Sequence, residues 1–148
     1  MDAESLISTL GLSPHPEGGY FRELYRDTLG DGGRGTLTSI FYMLKMGESS
    51  HWHKIDATEI WNFHAGSPLR LSTSSDGIRV DTFEIGGDPE NGGQFQSVVP
   101  PGVWQSAVSL GPWTLVGCVV APAFEFSGFE LAPRNWAPGG IGDARPTS

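Results

Sequence analysis

The chain has 148 residues and a formal net charge of −8, a length that fits one domain whose core needs no disulfide or metal staple. The acidic balance excludes nucleic acid and anionic membrane surfaces as partners, since both demand a basic face. The single cysteine, Cys118, excludes an internal disulfide, and with no leader pattern and no apolar run of membrane length a cytoplasmic protein is expected.

Residues 2–12 predict a short helix: Asp2 is placed to cap it, Leu6, Ile7 and Leu10 share one face, and Gly11 offers a left-handed stop. Pro14 and Pro16 forbid its continuation. Thereafter the signals are for strands. Within GGYFRELYRD (18–27), Arg22 and Glu23 fall on opposite faces of a strand; the inward or rim position suits Arg22 binding an anionic group, or forming a salt bridge between strands. Residues 35–45 are β-branched and aromatic between turn residues. Residues 69–85 alternate apolar and polar on both sides of Ser75-Asp76-Gly77 and predict a hairpin. The alternation changes phase at Phe83 and Ile85, which predicts a bulge or a change of face.

Residues 94–100 and 113–122 are further strands, the second nearly continuous in apolar residues and therefore central. Between them stand two turns, Pro100-Pro101-Gly102 and Leu110-Gly111-Pro112. The glycines of residues 86–93 form a loop with neither the lysine nor the helix of a phosphate cradle. One domain over 1–136, with 137–148 as a loose tail, is the expected organisation, and short strands between Gly/Pro turns predict an all-β sandwich or barrel.

Residues 51–66, HWHKIDATEIWNFHAG, hold the densest chemistry. On a strand, His51 and His53 point to one face. After a turn, Glu59, Trp61 and Phe63 share a face, so that the two histidines and Glu59 are expected to converge beneath an aromatic wall. His64 falls on the other face and His15 in a turn, both read as structural, and Cys118 reads as a buried inert thiol.

Gly47, His51, His53, Glu59 and Gly66 match the first signature of the cupin superfamily, with departures in two spacings; Gly93, Pro100 and Gly102 match the second, whose histidine position is Gln105 and whose asparagine position is Ser109. HPEGGYFRELYRD (15–27), EIWNFHAGSPL (59–69), VPPGVWQSA (99–107) and VAPAFEFSGFELA (120–132) together resemble the cupin-5 family, a group of small cupins with no established reaction. The resemblance implies an all-β cupin jelly-roll barrel with a short N-terminal helix, in a homodimer. Two His and one Glu are the ligand types of a facial triad for one divalent first-row metal, yet Gln105 stands where the fourth ligand would be. Two outcomes therefore stay open: His51, His53 and Glu59 hold a metal, or His53 and Glu59 hydrogen-bond each other in a metal-free pocket.

The expected function is that of a small-molecule-binding cupin, either a metal-free isomerase or epimerase acting on a sugar-like or nucleotide-sugar substrate, a metal-dependent enzyme, or a binder without chemistry. In the first, His53 is the general base and Glu59 orients it, with Trp61, Phe63, Gln105 and Arg22 contacting the ligand.

Overall fold

The computed structural model describes residues 1–140. The helix forms as α1 (Ala3–Leu10): Asp2 accepts from the Ser5 amide at 2.8 Å, and Gly11 closes the other end in the left-handed region at φ 67°. The strands are β1 (Ser13–Pro14), β2 (Tyr20–Arg26), β3 (Thr38–Lys45), β4 (Ser49–Ile55), β5 (Thr58–Gly66), β6 (Leu69–Ser74), β7 (Asp81–Ile85), β8 (Gln96–Val99), β9 (Trp104–Ser109), β10 (Trp113–Ala121) and β11 (Phe129–Leu131). They form two antiparallel sheets, ordered β1-β2-β3-β10-β5-β8 and β11-β4-β9-β6-β7. The sheets face each other as a jelly roll.

The main core lies between them. Tyr42, Leu44, Trp61, Val99 and Val116 come from the first sheet, and Leu69, Leu71, Ile85 and Ala107 from the second. On the outer face of the first sheet, Leu6, Ile7 and Leu10 of α1 cover Met43 and Leu115. Strand β10 is thus buried on both sides and paired on both edges, which is why its sequence is almost continuously apolar.

The 69–85 hairpin is present, pairing Leu69 with Ile85 and Leu71 with Phe83. Its change of phase has a simpler cause than a bulge: Ile78 and Val80 are exposed in the connecting loop, and the return strand begins only at Asp81. Strand β9 has no counterpart among the elements expected from the sequence. Its buried residues are Gln105 and Ala107, so no apolar alternation announces it. Of the expected tail, residues 137–140 are ordered against the body, with Pro138 buried and the Gly139 amide bonded to the Gly77 carbonyl at 2.9 Å; residues 141–148 lie outside the described part. No helix among the described residues is long and apolar enough to cross a membrane.

Candidate active site

The site begins with a turn. The His15 amide bonds to the Gly19 carbonyl at 2.9 Å and the Gly18 amide to the His15 carbonyl at 3.0 Å, folding His15-Pro16-Glu17-Gly18-Gly19 back on itself. Gly18 has φ 108°, and a Cβ there would sit 2.1 Å from the Ser49 carbonyl oxygen, so only glycine allows the turn to lie this close to β4. The closeness carries the Glu17 carboxyl into the barrel.

Strand β4 supplies the second group. Between Ser50 and His53 it advances three residues while β9 advances two, from Ala107 to Gln105. This bulge puts Ser50 and His53 on the inner side together and turns His51 aside. Ser50 Oγ donates to Glu17 Oε1 at 3.0 Å, and His53 Nε2 lies 3.2 Å from Glu17 Oε2. His53 Nδ1 is 2.7 Å from the His51 carbonyl oxygen, an atom that only accepts, so Nδ1 carries a proton and Nε2 is the nitrogen that faces Glu17.

Glu59, on β5, is the third group. Gln105 Nε2 donates to Glu59 Oε1 at 3.0 Å, and Gln105 Oε1 accepts from Trp61 Nε1 at 2.8 Å. The indole therefore fixes the amide, and the amide fixes the carboxyl. His15 completes the set, its Nδ1 accepting from the Glu17 amide at 3.1 Å.

These four side chains line the inner end of one cavity of about 70 Å³. Phe21, Ile40, Ile55 and Val120 form its apolar walls with the buried Thr38, while Glu23, Arg26, Phe124 and Phe126 stand towards the mouth. Burial governs the proton affinities. It raises Glu17 to about 8 against the opposing hydrogen bonds from Ser50 and Tyr42, and raises Glu59 to about 7 with help from the neighbouring Glu17 charge, against His53, Gln105 and Cys118. Burial also lowers His53, against the pull of Glu59 and of the His51 carbonyl, and lowers His15 to about 4, with the neighbouring His53 adding to the effect.

The residues singled out from sequence divide. His53 and Glu59 reach the cavity, but the carboxyl within 4 Å of His53 Nε2 is that of Glu17, at 3.2 Å, while Glu59 acts on the imidazole through its charge. Gln105 is fully buried as the support of Glu59. Trp61 is 1% exposed and, like Phe63, belongs to the core beyond the cavity; the inward face they share with Glu59 is real, but its deeper part is packed solid. Arg22 donates to the Leu10 carbonyl at the end of α1 (3.1 Å), and Glu23 takes the place at the mouth. His64 lies over Gly117 on the outer face against Phe41.

The facial triad is not assembled. His51 Nε2 is 2.9 Å from the Pro133 carbonyl, and the residue opens onto a separate groove of about 580 Å³ with Arg134. Among the described residues no three His, Cys, Asp or Glu side chains are grouped as metal ligands would be. The donor set does not fit the metal that the fold family suggests.

Glu17 and His15 also line the cavity, and the sequence reading did not place either of them there. The sequence offered little signal, since an acid between a proline and two glycines reads as an ordinary polar turn.

The linkage of these groups to stability gives a testable sign. A carboxyl raised from 4.5 to about 8 stabilises the fold fully below 4.5 and loses that contribution as pH rises through 8; His15, lowered from 6.5 to about 4, contributes fully above 6.5. Between pH 6.5 and 9 only the carboxyls of this set change. Urea unfolding should show wild type losing about 2 kcal/mol more stability over that interval than Glu17→Gln, at about 1.4 kcal/mol per unit. Parallel pH profiles would contradict the buried, protonated Glu17.

Two facing antiparallel sheets with a cavity at one end of the roll define a cupin-type barrel. The chain belongs to the Cupin_5 family, described as Cupin superfamily (DUF985), whose model matches residues 4–132. Among solved structures it is similar to a Shewanella oneidensis protein determined by X-ray crystallography, at 38% identity and TM-score 0.84 over 88% of this chain and 84% of that one. A hypothetical protein from Leishmania major is similar at 30% identity and TM-score 0.79, covering 88% of this chain and 86% of the other. Oxalate decarboxylase from Bacillus subtilis shares the fold at 18% identity and TM-score 0.61, over 80% of this chain and 29% of the decarboxylase. A search of curated protein sequences gave no significant match.

Proposed function

We propose that this cupin is a metal-free acid–base enzyme of the isomerase or epimerase type, moving a proton on a carbon next to a carbonyl of a small sugar-like molecule. The observation that carries the reading is the Glu17–His53 contact at 3.2 Å, sharing one cavity with Glu59. Because His53 Nε2 is engaged by Glu17, Glu59 is the group left to act as base, and the Glu17–His53 pair holds the proton that acts as acid. This exchanges the roles that the sequence suggested for His53 and Glu59.

In the forward step Glu59 takes the proton from carbon, the electron pair of that C–H bond becomes the C=C bond, and the carbonyl oxygen takes the shared proton of the pair. The resulting enediol collapses when Glu59 returns its proton to the neighbouring carbon and the other hydroxyl gives its proton back to the pair. Atoms and electrons balance without a cofactor. Catalysis requires Glu59 ionised and the pair protonated, so kcat/KM should rise through pH about 7 and fall above about 8. Incorporation of deuterium from D2O beside the carbonyl, absent in Glu59→Gln, tests the reading; ligand binding without exchange at any pH would leave a binding protein.

We further propose a two-fold homodimer. Beyond Phe21 the outer edge of β2 pairs with no described strand, and Leu24 and Tyr25 are exposed there. Light scattering at micromolar concentration should give twice 15.9 kDa, and 15.9 kDa alone would contradict it.

A further inference from the structure

The inner end of the cavity offers Glu17, Glu59, His15 and His53, two carboxyls and two imidazoles that burial keeps from charging. Arg26 is the one permanent cation among the described residues lining the cavity, and it is already satisfied. Its Nε and Nη2 donate to the two oxygens of Glu23, each at 2.9 Å, and its Nη1 donates to the Phe124 carbonyl at 2.9 Å. The α-helix does not supply amides in its place, since α1 lies on the outer face of the first sheet. An anionic group would find acids ahead of it and a neutralised guanidinium beside it. A volume of about 70 Å³ holds only a few water-sized groups, so the reacting end of a molecule enters while its remainder stays near Phe124 and Phe126.

We infer that the substrate is an uncharged hydroxyaldehyde or hydroxyketone of the monosaccharide class, entering carbonyl end first, and that phosphorylated and nucleotide-linked sugars are rejected. The inference rests on the proposed function and narrows it. The carbonyl and its neighbouring hydroxyl meet Glu59 and the Glu17–His53 pair, and the carbon face of the remainder lies against the aromatic mouth. Selectivity then comes from the want of a free cation: a phosphate dianion would give up hydration beside a cavity whose one permanent cation among the described lining residues, Arg26, is already taken by Glu23, a loss worth at least about tenfold in kcat/KM.

The experiment follows deuterium incorporation by NMR with the full chain, using free aldoses and ketoses of three to six carbons beside their phosphate esters and nucleotide diphosphate derivatives, with Glu59→Gln as background. Free sugars are expected to exchange at least about tenfold faster than the matched esters. The gap should narrow in Glu23→Gln, which releases the Arg26 charge. Esters exchanging as fast as free sugars, still dependent on Glu59, would overturn the inference and leave the proposed function standing. A gap unmoved by Glu23→Gln would overturn the assignment of selectivity to the mouth. Exchange of neither set above background would overturn the proposed function, and the inference with it.

Discussion

Glu59→Gln should lower proton exchange at the substrate carbon by about a hundred- to ten-thousand-fold, the usual cost of losing a positioned base. The substitution keeps the side chain's shape and retains an oxygen to accept from Gln105 Nε2, so the arrangement around it has no reason to collapse. What disappears is the one inner-cavity carboxyl, among the described residues, that is not within 4 Å of His53 Nε2. His53→Asn should cause a loss of similar size for a different reason: Glu17 is left without the imidazole that shares its proton. The pH profiles separate the two. Glu59→Gln should lose the rising limb near 7, whereas His53→Asn should displace the falling limb near 8. Retained wild-type exchange in Glu59→Gln would show that another group takes the proton.

The largest stability effect should come from Trp61→Ala. Trp61 is 1% exposed at the centre of the main core, against Tyr42 at 6.0 Å between ring centroids, and losing such a ring costs about 3–5 kcal/mol. Its indole N–H also holds Gln105 Oε1 at 2.8 Å, and the fully buried amide has no second donor there. An orphaned acceptor of this kind adds about 1–3 kcal/mol, so Trp61→Phe, which keeps most of the volume, should still be destabilised by roughly that amount. Urea denaturation of the two variants tests this. Were Trp61 an open stacking surface for a ligand, as the sequence suggested, Trp61→Ala would cost little in stability and much in binding.

The strands that read clearly in sequence are those whose buried faces are apolar. Strand β10 is the best case, buried on both sides, and the 69–85 hairpin is the next. Strand β9 was illegible because Gln105, which the fold buries completely, looks like a surface residue until its partners Trp61 and Glu59 are known. His53 and Glu59 were legible because their spacing survives as two inward positions on neighbouring stretches of the chain. His51 was misplaced by a single extra residue in β4: the two-residue period is sound for a regular strand, and nothing in Ser50-His51-Trp52-His53 announces the bulge. Glu17 depends on a contact between a turn and a strand more than thirty residues away, made possible by the missing Cβ of Gly18. Such contacts follow from the assembled fold and leave no period in the sequence.

The central claim is that two carboxyls in this barrel hold protons near neutrality because they are buried around His53. The most direct measurement is a carbon-13 NMR titration of protein labelled at the glutamate carboxyl carbons, with Glu17→Gln and Glu59→Gln assigning the two resonances. The account predicts that both stay in the acid form through the range where the exposed glutamates ionise, then titrate near 8 and near 7. Every glutamate titrating together at the ordinary value of about 4.3 would contradict it.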